Sequence, residues 1–327
     1  MKAGFVLLIL MISLLLPLTG ASGEKPLVVT SIAPLASIVK EAFGDSVEVV
    51  YLIPPGVDPH EYQLTARQVE MLGKADVIVT TGGHLPAEQR MVGLQREGII
   101  KGKVLLIRDY QKFGFRYMKE HWYREKNNPH GIWLDPYNAI AIAEAVKDVL
   151  TVRYPDDAAI YGAEFEKFRI SVESIAEAYR KAVTGSGLKA VIQMPPDQYA
   201  VEWLGIVVSA SIKPEEEVPA VGVDDLIGTA ENATLIVYSS TSPEQLKKAA
   251  LELSAKSGKP AADITVFWKD RPYTEVLEEN TASIIKSLSG CGERIIPARS
   301  DGRGAYILAS LLVGIVLGAA VGFIIKG

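Results

Sequence analysis

The chain has 327 residues, 48% of them hydrophobic and 22% charged, and a formal net charge of −5 made from interspersed acids and bases. That length exceeds one ordinary domain, and mild acidity without a basic block excludes nucleic acid as a partner. A single cysteine, Cys291, excludes both an internal disulfide framework and a multi-thiolate zinc site.

Lys2, an apolar run over 5–18 and small residues over 19–23 predict a secretory signal peptide at 1–23. Strand-like runs rich in Val and Ile follow at 27–32, 47–53, 75–80 and 104–107, with helical spacing at 34–42 and 65–72. The polar, aromatic stretch 113–128 predicts a surface loop. Over 155–183 the residues Ile160, Phe165, Phe168, Val172, Ala176 and Tyr179 recur at helical spacing, predicting a helix of about seven turns. Strand-like runs resume at 190–193, 206–211, 233–237 and 264–267, with a helical segment at 243–257. No internal sequence repeat is visible. The uncharged run 305–325 is long enough to cross a bilayer and predicts a C-terminal transmembrane anchor behind a linker at 291–304. A signal segment and one late span put everything between them outside the cytoplasm, at the cell membrane. The fold class is α/β, with two Rossmann-like lobes on parallel sheets, 24–154 and 185–290, joined by a long rigid helix over 155–184.

The chemistry concentrates in Leu52-Ile53-Pro54-Pro55-Gly56-Val57-Asp58-Pro59-His60-Glu61-Tyr62. Its Pro-Pro-Gly turn and Asp-Pro pair fix several dihedrals, so His60 has little entropy left to lose on binding. One such turn is equally the signature of a histidine facing solvent. Asn128-Pro129-His130 repeats the device in a chain with only four histidines, which favours metal ligation, and imidazole suits Zn²⁺ and related divalent ions.

These residues, with Ala75-Asp76, Gly82-Gly83-His84-Leu85, Trp133-Leu134-Asp135-Pro136 and the long helix after them, resemble the metal-binding substrate proteins of zinc and manganese ABC importers. The resemblance covers most of 27–288. It implies a metal site in the cleft between two lobes, with two first-lobe histidines that match His60 and His130, then a second-lobe His or Glu, then an Asp or Glu. Met194 stands where the third ligand is expected, and a thioether is a poor donor to Zn²⁺ or Mn²⁺. Three readings stay open: Met194 only packs, Asp197 reaches in instead, or the site has turned toward Cu(I). Asp270 is the nearest match to the fourth ligand, with a salt bridge to Lys269 or Arg271 as the alternative. Gly131 lengthens the family's Pro-His-x-Trp spacing by one residue. The resemblance puts His84 beside the cleft without binding metal, and His121 is expected in solvent.

The function implied is an extracytoplasmic solute-binding protein that captures a divalent transition metal, zinc first and manganese next, and hands it to an ABC permease and its ATPase. It implies binding and not catalysis. The competing expectations are a zinc-dependent hydrolase with an open metal position and an adhesion or scaffold module with a degenerate site.

Overall fold

Strand β1 (Leu27–Ile32) is buried from Val28 onward and leads into helix α1 (Ala33–Phe43), where Pro34 sits in the first turn and has no N–H to leave unpaired. The chain then runs through β2 (Glu48–Ile53), α2 (Ala66–Lys74), β3 (Val77–Val79), α3 (Pro86–Arg96) and β4 (Lys103–Leu105). All four strands are parallel in the order β2-β1-β3-β4. Helices cover such a sheet on both faces, which explains why its strands read as continuous apolar runs. The computed structural model describes residues 25–183, 187–215 and 218–289. The predicted signal peptide, the linker with Cys291 and the C-terminal anchor lie outside the described residues. Among the described residues no helix is long and apolar enough to cross a membrane.

After α4 (Ile107–Tyr110) and α5 (Pro136–Arg153) comes the long helix, α6 (Ala158–Ala182), of 25 residues. It buries Tyr161, Phe165, Phe168, Val172 and Ala176, spaced three or four apart, which is one face of an α-helix. The second lobe repeats the first in β5 (Lys189–Ile192), α7 (Asp197–Val201), β6 (Val207–Ser211), α8 (Val223–Glu231), β7 (Leu235–Tyr238), α9 (Glu244–Ser257) and β8 (Ala261–Asp263). Its strands are again parallel, in the order β6-β5-β7-β8, so the topology recurs where the sequence shows no repeat. Helix α10 (Tyr273–Ser289) closes the described chain and packs on α6 and α1. One apolar cluster containing Val29, Trp133, Phe168, Tyr199 and Trp268 runs through both lobes. Full burial gives each such aromatic roughly 2–3 kcal/mol of transfer free energy.

Two expectations are corrected. The last strand is Ala261–Asp263, not 264–267. Ile264, Val266 and Trp268 are buried: the Ile264 N–H makes a last bond to the Tyr238 carbonyl of β7, Thr265 then pairs with Asn280 of α10, and the Val266 carbonyl accepts from the first-lobe Trp133 indole at 2.9 Å. An apolar run therefore marked burial and not sheet pairing. The stretch 113–128 is no simple surface loop either. Phe115, Glu120 and Asn128 are buried, Lys119 bridges Asn127, and the Met118 N–H donates to the second-lobe Tyr199 hydroxyl.

Candidate metal centre

His60 follows β2, and its position is set by an Asx turn in which its N–H donates to Asp58 Oδ1 at 2.8 Å. Gly56 sits at φ +85° in the preceding Pro-Pro-Gly turn, a conformation that glycine adopts without strain. Behind the turn, Tyr62 and Gln68 both donate to the Leu52 carbonyl, and Thr65 and Gln68 form a capping box at the start of α2. The turn is thus tied to the end of β2 and to a helix.

His84 follows β3. Gly82 and Gly83 stand at φ +123° and +93°, and a Cβ on either would meet Ile107 or Leu106 at 2.6 to 2.8 Å. Fully buried Glu88 reaches back from α3 and accepts from the Thr81 and Gly83 N–H groups and from the Thr81 hydroxyl. Burial raises its carboxyl above the ordinary range, against the pull of these donors.

His130 repeats the Asx device, its N–H donating to Asn128 Oδ1 at 2.9 Å. The Asn128 amide donates across the lobe boundary to the Pro195 carbonyl and to Gln198. Gly131 takes φ +78°, and a Cβ there would lie 2.5 Å from both the Cα and the carbonyl oxygen of Pro196. The extra residue noted in the Pro-His-Gly-Ile-Trp spacing is therefore a glycine against which the second lobe packs backbone to backbone. Buried Asp135 then caps α5 through the Tyr137 N–H and pairs with Arg116.

The three turns bring their rings together. Ring centroids lie 5.1 Å apart for His84 and His130, 5.3 Å for His60 and His130, and 5.8 Å for His60 and His84. One nitrogen of each lies within 4.8 Å of the others, so the three can hold one metal ion. Tetrahedral Zn–N bonds of about 2.0–2.1 Å set donors about 3.4 Å apart, inside that bound. Burial, helped by the neighbouring His60, pushes His84 down to about 4. Burial, then His84 and His60, push His130 down to about 3. Both are neutral near pH 7, the form that donates to a metal. The cluster stands at the carboxyl ends of the strands flanking β1, where parallel α/β sheets open a crevice.

The second-lobe candidates are placed differently. Among the described residues neither Asp197 nor Asp270 joins the three-histidine group. The buried Asp197 carboxylate accepts from the Gln193 and Met194 N–H groups, both at 3.1 Å, inside its own loop. Burial pushes it up to about 7 against those two donors. Met194 is half-buried and packs on the apolar cluster around Val191 and Ile212. Asp270 is exposed at φ +52° and lines a cavity of about 330 Å³ with Ser37, Lys40, Glu41 and Tyr51. Arg271 beside it pairs with Glu275 and Glu279. His121 is exposed, as expected, and its Nε2 also lies 2.6 Å from the Val208 carbonyl oxygen of the second lobe. Sequence reasoning kept His84 out of the ligand set. The signal that could have included it was a Gly-Gly-His turn on a strand end beside the one that presents His60.

A family model described as zinc-uptake complex component A, periplasmic, matches residues 28–287. The zinc-binding lipoprotein AdcA of Streptococcus pneumoniae is 24% identical over 84% of this chain and 58% of its own length. The manganese-binding lipoprotein MntA of Halalkalibacterium halodurans is 28% identical over 51% of this chain and 52% of its own. The chain thus spans little more than half the length of these relatives. Among solved structures, the solute-binding protein FpvC of Pseudomonas aeruginosa, in complex with Mn²⁺, superposes with a TM-score of 0.68 at 19% identity, covering 82% of this chain and all of that one.

Proposed function

This chain belongs to the family of periplasmic zinc-uptake complex A components, and on that premise we propose that it is an extracytoplasmic solute-binding protein that captures a divalent transition metal. It delivers the ion to a membrane permease driven by an ATPase. The convergence of His60, His84 and His130 on one point carries this reading. Three imidazoles suit Zn²⁺ better than Mn²⁺, which favours oxygen donors, so zinc is the first cargo and manganese the second, with Cu(I) behind both. Membership of a transport family favours neither a hydrolase nor an adhesion module. The division into lobes 24–154 and 185–290 around the helix at 155–184, and tethering through the apolar run at 305–325, complete the proposal.

The test is elemental analysis of the protein purified without added metal, followed by calorimetric titration of wild type and His60→Ala. One tightly bound zinc per chain, weakened at least tenfold in the variant, is the expected result. An intact fold that binds no divalent metal, or a variant with unchanged affinity, would overturn the reading.

A further inference from the structure

The Thr81 hydroxyl lies between two partners. Its oxygen is 2.9 Å from each carboxylate oxygen of Glu88 and 3.2 Å from Nδ1 of His84. Each oxygen of Glu88 also receives a backbone N–H, from Thr81 on one side and Gly83 on the other. Burial pushes the Glu88 carboxyl up, but a backbone N–H aimed at each of its two oxygens favours the ionised form, which accepts only, so the one hydroxyl proton of Thr81 goes to Glu88. The Thr81 oxygen is then left with lone pairs alone on the side facing His84. The imidazole can satisfy it only by carrying its proton on Nδ1, which leaves Nε2 bare. Thr81 and Glu88 are both buried, so water does not supply a competing partner.

From this geometry we infer that Glu88 is a positioning residue for the metal site, acting through Thr81 to hold His84 in the Nδ1–H tautomer with Nε2 presented to the ion. The inference rests on the proposed metal capture and assigns two residues to it that make no metal contact. It also gives the Gly82-Gly83 turn a role, since the Gly83 N–H donates to Glu88 while both positive-φ glycines fit against Ile107 and Leu106 where a Cβ would clash. The arrangement is a carboxylate, hydroxyl and histidine chain, a relative of the carboxylate and histidine pairs that orient zinc ligands elsewhere.

Thr81→Val separates this role from simple support of the turn. Valine matches threonine in shape and keeps its backbone N–H on Glu88, but removes the hydroxyl. The experiment uses the full chain with ¹⁵N-labelled histidine, and reads the His84 tautomer from long-range ¹H–¹⁵N correlations at pH 7 before zinc is added. Wild type should show a protonated Nδ1 and a bare Nε2. Thr81→Val should lose that preference and weaken zinc roughly 10–100-fold, the range typical of partners that orient a ligand. Thr81→Ser should restore both. Glu88→Gln, whose amide can donate to Thr81 and turn the hydroxyl toward His84, should shift the proton to Nε2. A wild-type His84 protonated on Nε2 overturns the inference, as does a Thr81→Val protein with unchanged tautomer and affinity. The tautomer is read without metal, so a wild type with the expected tautomer that binds no zinc overturns the capture proposal and not the relay.

Discussion

The two lobes share a strand order but spend their loops differently. In the first, the turns after β2 and β3 and the one before α5 each fix a histidine through a local device, two Asx turns and a Gly-Gly turn closed by Glu88. In the second, the loop after β5 turns its acid inward, where Asp197 satisfies its own backbone, and Pro196 presses on Gly131. One topology thus supports a donor-rich edge and a donor-poor wall. What separates them is the local chemistry of loops, which the sheet order leaves free.

The sharpest way to break the comparison is to remove a donor from the rich side. His130→Ala should weaken zinc about a hundredfold or more, since even residues that only orient ligands are worth 10–100-fold. Calorimetric titration checks this, and an unchanged affinity would take the site out of the first lobe. Next in size, Gly131→Ala tests how closely the wall is pressed. Alanine pays roughly 1–2 kcal/mol for the left-handed backbone, and its Cβ would meet Pro196 backbone that cannot swing aside. A total loss of about 3 kcal/mol is expected by denaturant titration, and a loss under about 1 kcal/mol would mean that the lobes part easily.

Acid should act on the two lobes with opposite sign. His84 and His130 are held at about 4 and about 3, whereas unfolded imidazoles titrate near about 6.5. As pH falls from 6.5 toward 4, the unfolded chain gains protons that these folded histidines refuse, and stability is lost. Asp197, raised to about 7 by burial, takes a proton in the folded state that the unfolded chain binds only near about 3.9, so its contribution grows as pH falls through the same range. Melting of the metal-free proteins at pH 7 and pH 4.5 should therefore show His130→Asn gaining on wild type in acid and Asp197→Asn losing ground. The reverse pattern would contradict the burial of one group or the other. The smallest effect is expected at Met194→Leu, which keeps volume and should change both zinc affinity and stability by less than about 0.5 kcal/mol. Loss of Cu(I) binding alone in that variant would restore the second lobe as a donor.

Much of this was legible beforehand because it is local. β1 was expected at 27–32 and is found there, and the 25-residue helix was visible in the spacing of Phe165, Phe168, Val172 and Ala176. His60 and His130 were marked by the prolines before them, which act on the backbone at once and need no distant partner. The resemblance supplied the family and the cleft and put the third ligand position at Met194, whereas the tertiary structure sets His84 beside His60 and His130.

What the sequence determined by itself was the set of apolar periods and the rigid turns, since each follows from interactions within a few residues. Which histidines meet, where the last strand ends, and whether an acid faces a metal or its own loop were decided only by the tertiary structure. His60 and His130 come from a turn after β2 and a turn before α5 and are brought together by the fold, not by spacing. Thr265 to Trp268 leave the sheet where Asn280 and Trp133 offer partners to Thr265 and Val266. Asp197 turns inward because two N–H groups await it. In the last two cases a polar group took the partner that folding brought within reach, which offsets the cost of burying it.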